Sequence, residues 1–471
     1  MTRWHLTAAL AGGATLAALL APTLNGLVST GGGDTNGGGG GLIPPVVEPL
    51  VTPPVTQQAG KVELSAGLNQ GAVLAGQPTE RLLVVTLKAP DADGGNDRPV
   101  NVSLVIDRSG SMQQRGKMDY AKRAARELIE SLDPSDTFSM VLFSDDAELL
   151  APARPMLDAA WLLRQVDAIE ERGSTNLYAG MTMGIEQVRR SVSSETVNRV
   201  VLLTDGRANL GVVDPDALGN IAASAASAGV TMSAMGLGVD YNEDLLASLA
   251  DHGGGSYRYV SDPTTLTTAF RDELQQMSAV VASGVAVDVD LGDAELISVL
   301  GGYAASGDTD RTRIWLGDLY GGETRKIVLK VRVKPGAAGG SLDVAKVTLS
   351  DRDGTYAPAK VLAQVTDRPE EVERSLDEAL SSLGYMAVAS DLADQAATAY
   401  AAGKKDESLS LLTASKGIAM ENAARFDNDS LRKQAATLEE QRVQYDAAAP
   451  ESEEGQHAVK QNKATGRAWS R

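Results

Sequence analysis

The stretch between Pro99 and Phe270 alternates short apolar runs with longer amphipathic ones, and this alternation restricts the fold more than any other feature of the chain. Runs such as "PVNVSLVID", "TFSMVLF" and "NRVVLLTDG" are typical of strands that are buried on both faces. Runs such as "KMDYAKRAARELIESL" and "PDALGNIAASAASAG" are typical of helices. Because strands that alternate with helices form parallel sheets, residues 98–275 predict an α/β fold with a doubly wound, mostly parallel, Rossmann-like sheet.

Both flanks of this α/β region show the period-two alternation of half-buried strands. "ERLLVVTLKAP" precedes the region, and "TRKIVLKVRVKP" and "SLDVAKVTLSD" follow it. We therefore expect a flanking β-sandwich-like domain over residues 279–367. The strands of residues 61–97 are expected to join that domain, which would make the α/β region an insertion between its strands.

The C-terminal part of the chain changes character twice. Residues 369–447 are rich in Ala, Leu and Glu, which predicts a helical segment of two to four helices packed as a plain hairpin rather than as a repeat array. Residues 448–471 are mostly polar, so we expect a disordered tail there.

The N-terminal residues predict export. Residues 1–28 carry Arg3 and then the apolar run "LTAALAGGATLAALL", which is typical of a secretory signal peptide or a membrane anchor. The sequence does not choose between cleavage and anchoring. Residues 29–60 are first Gly-rich and then Pro-rich, which predicts a linker. We expect an exported protein of the cell envelope, whether periplasmic, membrane-anchored or extracellular.

Composition excludes several classes of function. The 43 Lys and Arg residues against 62 Asp and Glu residues give a formal net charge of -19, so a nucleic-acid partner is not expected. The chain has no Cys, which excludes thiolate zinc sites and cysteine nucleophiles. Its three His residues are His5, His252 and His457, and a Ser-His-Asp enzyme would have only His252 to use.

Two acidic residues lie where apolar strands end, Asp107 after "SLVI" and Asp205 after "VVLLT". Ligands of doubly wound sheets bind outside the carboxyl ends of the strands, so both carboxylates are expected at the same edge. Ser109 and Ser111 follow on the first loop, and Thr175 in "RGSTNLYAG" precedes a helix. Two carboxylates and three hydroxyls form an all-oxygen set, which predicts a divalent cation: Mg²⁺ first, with Mn²⁺ or Ca²⁺ as alternatives.

These residues resemble the metal-ion-dependent adhesion site (MIDAS) of the von Willebrand factor type A (VWA) family. The family's pattern is Asp-x-Ser-x-Ser, then a distant Thr, then a distant Asp, and "DRSGSM", "GSTNL" and "LLTDGRANLG" match it in order. The resemblance implies that Ser109 and Ser111 bind the ion directly, and Thr175 directly or through water. Asp107 and Asp205 would act largely through water, and a carboxylate of a partner protein would complete the coordination. The leader and the flanks look similar to exported bacterial members of the family.

Other interpretations of the same residues are simpler. "DRSGSM" alone fits a serine-rich turn, and Thr175 alone fits a helix cap, a role that the next residue also fits. A phosphoryl-accepting Asp107 would need a second acid two residues later, where Ser109 stands. The acidic "SDD" that contains Asp145 is expected to be a solvated turn.

Three functions follow from these features. The first is an exported or membrane-tethered VWA protein that binds an acidic group of a protein partner through a divalent metal. The second is a structural scaffold of an envelope assembly that acts mainly through its C-terminal helices, with the metal incidental. The third, a metal-dependent hydrolase, lacks a candidate base beside the two acids, so we do not expect an enzyme.

Overall fold

The computed structural model describes residues 53–91, 98–193 and 195–470. The predicted leader over residues 1–28 lies outside the described residues, and so do residues 29–52 of the predicted linker. No helix within the described ranges is long and apolar enough to cross a membrane.

Four strands precede the α/β region: β1 (Val55–Ala59), β2 (Val62–Leu68), β3 (Ala72–Leu74) and β4 (Thr79–Lys88). The first of them corrects the linker prediction, which is wrong for residues 55–59. β1 is mostly polar, but it pairs antiparallel with β2 along its whole length. Gly60 allows the tight turn between the two strands because it takes a positive φ of 61°. The hairpin, rather than apolar side chains, therefore makes this segment a strand.

The α/β region consists of six strands and six helices. In chain order they are β5 (Val100–Asp107), α1 (Lys117–Glu130), β6 (Thr137–Phe143), β7 (Ala147–Pro155), α2 (Ala159–Asp167), α3 (Leu177–Arg189), β8 (Val197–Thr204), α4 (Pro215–Ser227), β9 (Thr231–Leu237), α5 (Glu243–Gly253), β10 (Gly254–Val260) and α6 (Leu266–Ser278). A 3₁₀ turn over Gly110–Gly116 joins β5 to α1.

These six strands form one sheet in the order β10-β9-β8-β5-β6-β7. All neighbours are parallel except the edge strand β7, which is antiparallel to β6 and which the sequence did not predict. The predicted doubly wound, mostly parallel sheet is confirmed. The chain moves from β5 outward to β6 and later returns to place β8 on the other side of β5. The strand order therefore reverses between β5 and β8, which is where sheets of this kind bind ligands.

Seven further strands follow: β11 (Val280–Leu291), β12 (Ala294–Leu300), β13 (Ala305–Gly307), β14 (Arg311–Tyr320), β15 (Thr324–Val333), β16 (Ser341–Ser350) and β17 (Ala359–Thr366). They combine with the first four strands into two sheets, ordered β1-β2-β4-β15-β12 and β13-β14-β11-β16-β17-β3. A shared apolar core lies between the sheets, with Leu83 and Leu329 from one and Val287 and Val347 from the other. Because β4 pairs with β15, the α/β region is inserted between strands of one sheet.

The chain ends in five helices: α7 (Pro369–Arg374), α8 (Glu378–Ala401), α9 (Lys405–Arg425), α10 (Asp429–Ala447) and α11 (Glu453–Ser470). The first turns of α8 cover one sandwich sheet, where Leu380 and Ala387 pack with Leu82 and Val328. The predicted disordered tail over residues 448–471 is wrong, because most of it forms α11. This helix carries few apolar residues and is held largely by charged side chains that pair with distant parts of the chain.

Candidate metal centre

The carboxyl ends of β5 and β8 place two carboxylates side by side. All residues of both strands are buried, so the sheet core fixes where the strands end. β5 ends on Asp107, and β8 ends on Thr204, directly before Asp205. Both aspartate side chains are fully buried. Because the two strands are parallel neighbours, the two acids reach the same edge, as the sequence predicts.

The loop after β5 adds two hydroxyls to this edge. Ser109 Oγ lies 3.0 Å from Ser111 Oγ. Ser111 Oγ donates a hydrogen bond to Asp205 Oδ1 at 2.7 Å. The two serines of the first loop are thus connected to the acid that follows β8.

Gly206 lies next to the side-chain oxygens of Thr175, Ser111 and Asp107. A methyl group built on its Cα would lie 3.1 Å from Thr175 Oγ1, 3.6 Å from Ser111 Oγ and 3.9 Å from Asp107 Oδ2. Oxygens from the end of β5, from the serine loop that follows it and from the separate Thr175 loop therefore converge within about 4 Å of one point. The structure brings all five sequence-predicted residues together.

The Asp107 carboxylate is held by two hydrogen bonds. The backbone N–H of Ser109 donates to Oδ1 at 2.8 Å, and Thr204 Oγ1 donates to Oδ2 at 2.5 Å. Burial raises the pKa of Asp107 to about 6, because the site withholds water from the charged form. The two hydrogen bonds oppose this rise, and the charge of Asp205 adds to it. A cation at this edge would favour the ionised carboxylate.

A buried lysine, which the sequence analysis missed, pairs with the second acid. Lys117 Nζ donates to Asp205 Oδ2 at 2.6 Å, and the two side chains are 5% and 0% exposed. Lys117 is the first residue of α1, so the helix that follows the serine loop carries it to the site. The ammonium offsets one of the two buried negative charges.

Two asparagines hold the Thr175 loop: Asn209, which the sequence analysis missed, and Asn176, which it gave as an alternative helix cap. Asn209 Oδ1 accepts from the backbone N–H of Thr175 at 2.9 Å, and the N–H of Asn209 donates to the Thr175 carbonyl at 3.1 Å. Asn176 caps α3 by accepting from the Ala179 N–H. The Thr175 hydroxyl is therefore not the helix cap. Asp145 also helps to fix the loop, since its Oδ1 accepts from the Ser174 N–H at 2.9 Å.

A cleft of about 440 Å³ opens above these oxygens. Its lining includes Ser111, Thr175, Gly206, Arg207 and Gln456. Two of the five predicted residues thus face the cleft, while the two aspartates lie buried beneath it. A group bound at this edge could be reached from solvent through the cleft.

Comparisons with known proteins identify the α/β region. The sequence pattern of the von Willebrand factor type A domain matches residues 101–272. The chain contains a VWA domain. A solved structure, the von Willebrand factor type A protein from Catenulispora acidiphila, is 23% identical with a TM-score of 0.62, and the match covers 80% of this chain and 91% of that one. The similarity therefore extends well beyond the VWA domain and shows a shared fold.

Two curated relatives are similar over a shorter region. The Escherichia coli protein YfbK is 28% identical over 214 residues, which are 45% of this chain and 37% of that protein. The human inter-alpha-trypsin inhibitor heavy chain H4 is 27% identical over 194 residues, which are 40% of this chain and 21% of that protein. The matched region thus spans well under half of either relative.

The donor set fits a hard divalent ion. In the described part of the chain, no three His, Cys, Asp or Glu side chains cluster as metal ligands. The oxygens at this edge come from two carboxylates and from neutral hydroxyls, a set that suits Mg²⁺, Mn²⁺ or Ca²⁺ rather than zinc.

Proposed function

We propose that this chain is an exported or membrane-tethered protein whose VWA domain binds an acidic group of a protein partner through a divalent cation. VWA domains generally mediate protein–protein interaction. The ion would be Mg²⁺, with Mn²⁺ or Ca²⁺ as alternatives. Its proposed ligands, direct or through water, are Asp107, Ser109, Ser111, Thr175 and Asp205. One observation carries the proposal: these oxygens converge beneath an open cleft.

The residues of the site have different tasks in this proposal. Asp107 and Asp205 hold the charge of the ion from below, where burial strengthens the electrostatic attraction. Ser111 and Thr175 face the cleft and leave the ion accessible. When bound, the ion supplies an electrophilic centre for a carboxylate oxygen. Arg207 and Asp240 both line the cleft and their charges oppose each other, so the attraction for an acidic partner comes from the ion.

We propose binding rather than catalysis. His252, which the sequence offers as a general base, lies on α5, and its Nδ1 is bonded to the Ser248 carbonyl of the same helix at 2.9 Å. His252 is not among the described residues that line the cleft above the two acids. No enzymatic name occurs among the curated relatives above.

We propose the envelope location and the domain division from the sequence. We assign residues 98–275 to the VWA domain, residues 61–97 and 279–367 to the β-sandwich-like domain, and the helices after residue 369 to a third unit. A topology reporter fused to the C-terminus of the chain should be active outside the cytoplasmic membrane. Activity confined to the cytoplasm would contradict export.

The scaffold alternative has one observation in its favour. Met420 on α9 and Val443 on α10 are each more than half exposed, so the helical unit presents apolar side chains to solvent. If these helices make the main contact, their deletion would abolish partner capture while changes at the metal site would leave it intact.

The test combines a metal titration with partner capture. Calorimetry should show one Mg²⁺ or Mn²⁺ site of roughly micromolar to millimolar affinity, lost in Asp107→Ala. Capture of a partner from envelope extract should require the metal and should weaken strongly in Thr175→Ala, although losing one loop hydroxyl costs only about 0.5–1.5 kcal/mol of stability. Ser174→Ala, next to Thr175, is the matched control and should capture normally. Unchanged capture by a folded Thr175→Ala protein would refute the metal bridge and favour the scaffold.

A further inference from the structure

One wall of the cleft above the site is formed by a distant part of the chain. Gln456 lies in the first turns of α11, yet it lines the cleft together with Ser111 and Thr175. The C-terminal helix, far from the VWA domain in sequence, is therefore part of the surface that a partner would meet.

Buried cations fix α11 in this place. Lys460 Nζ donates to the Tyr241 carbonyl at 2.9 Å and to Glu243 Oε2 at 2.7 Å, and its side chain is 3% exposed. Lys463 pairs with Asp244 on the same side of the VWA domain. A buried ammonium is tolerated only when it is paired and hydrogen-bonded, so these contacts specify one docked position.

The N-terminal end of α11 contacts the loop that carries the two serines. Arg115, four residues after Ser111, pairs with Glu453 at 2.7 Å. Tyr259 of β10 and His457 share a hydrogen bond. The helix thus contacts the serine loop at one end and, further along, the start of α5 with the residues just before it, and Gln456 lies between these contacts.

The Gln456 amide has hydrogen-bonding capacity left for a partner. Its Nε2 donates to the Glu451 carbonyl at 3.4 Å, the long end of the hydrogen-bond range. A primary amide has two N–H donors and an acceptor oxygen, a set that matches a peptide bond. Gln456 is half-buried at the cleft, which limits the cost of ordering it.

We propose that α11 is a wall of the partner-binding cleft and that Gln456 binds a main-chain amide of the partner segment whose carboxylate reaches the metal. This inference rests on the proposed function. The partner segment would be an extended peptide with an acidic side chain. It would be bound at two points, through its carboxylate at the ion and through its backbone at α11. Gln456 would then be a specificity-determining residue outside the VWA domain.

The test uses a displayed library of 12-residue random peptides with a fixed central Asp, selected on the full chain in Mg²⁺. Chelator-sensitive binders should lose roughly 3- to 10-fold in affinity for Gln456→Ala, the effect of one hydrogen bond. Gln461→Ala, at an exposed position of the same helix, is the matched control and should bind as the unchanged chain does. Mg²⁺ affinity without peptide should be equal in all three proteins, because Gln456 is not a metal ligand.

A second variant removes the wall without touching Gln456. Lys460→Ala combined with Lys463→Ala should release α11, which limited proteolysis would detect, and should weaken peptide binding at least as much as Gln456→Ala. Chelator-sensitive binding that is equal in the unchanged chain and in both variants would overturn the inference and leave the proposed function standing. Absence of any chelator-sensitive peptide on the unchanged chain would overturn both.

Discussion

Replacing Lys117 by Met tests the charge balance of the site. The side chain keeps most of its apolar length in Met but loses the ammonium that lies 2.6 Å from Asp205. Both side chains are almost completely buried, so the Asp205 carboxylate would keep its hydrogen bond from Ser111 but lose its charged partner while it lies close to Asp107. Breaking a buried ion pair in this way costs about 3–5 kcal/mol. For a domain of this size we expect a fall in Tm of roughly 6–20 °C in chelator.

Metal should reverse much of this loss. A divalent ion replaces the missing positive charge beside Asp205, so Lys117→Met should gain more from Mg²⁺ than the unchanged chain does. A ligand at a hundred times its Kd stabilises the folded state by about 2.7 kcal/mol, which is readily seen in a melting curve. The assay is therefore thermal unfolding with chelator and with a Mg²⁺ series, followed by calorimetric titration of the metal.

Lys122→Met is the matched control. Lys122 lies on the same helix but only donates to the Asp167 carbonyl at an exposed position. We expect a change within about 0.5 kcal/mol and an unchanged response to Mg²⁺. If Lys117→Met behaved like this control, with the same Tm and the same Mg²⁺ response, the reasoning that Lys117 shares the charge of the site would be refuted.

Two further predictions follow from the packing. Gly206→Ala places a methyl group 3.1 Å from Thr175 Oγ1, so it should lower the affinity for Mg²⁺ while the Tm in chelator stays close to normal. If calorimetry shows an unchanged affinity, the ion binds elsewhere. The buried guanidinium of Arg199 pairs with the carboxylates of Glu273 and Asp318. Arg199→Met removes the positive charge from both acids and should lower the free energy of unfolding in urea by about 3–5 kcal/mol. Arg258→Ala is the control: it breaks the ion pair with Asp272, whose two side chains are 29% and 40% exposed, and should cost at most about 1 kcal/mol of stability. Equal losses of stability in the two variants would contradict this account.

The sequence predicted the part of the site that strand ends determine. Asp107 and Asp205 follow buried runs, and parallel neighbouring strands bring their carboxyl ends to one edge whatever the loops do. Thr175 was harder to predict from the sequence, because its loop follows neither of these two strands and only the family pattern indicated it. Lys117 and Asn209 escaped the analysis because each acts through a pairing across loops, which no local pattern reveals.

The C-terminal helix shows a different limit of sequence reasoning. Its polar composition predicts disorder because it cannot bury a core of its own. The structure stabilises it through partners more than 200 positions away, such as Glu243 for Lys460. Burial lowers the pKa of Lys460, and the negative charge of Glu243 opposes this shift without reversing it. Such a docked helix is specified by two distant segments together and by neither alone.

The charges of the proposed site explain why a lysine would be kept beside a metal ligand. Asp107 and Asp205 contribute two negative charges and Lys117 one positive charge, so the site without metal carries one net negative charge. A divalent ion changes this balance to one net positive charge, which a single carboxylate of a partner neutralises. Without Lys117 the loaded site would be neutral and would attract an anion less. In the proposed site the lysine therefore weakens the hold on the ion, but it strengthens the attraction of the loaded site for an acidic partner.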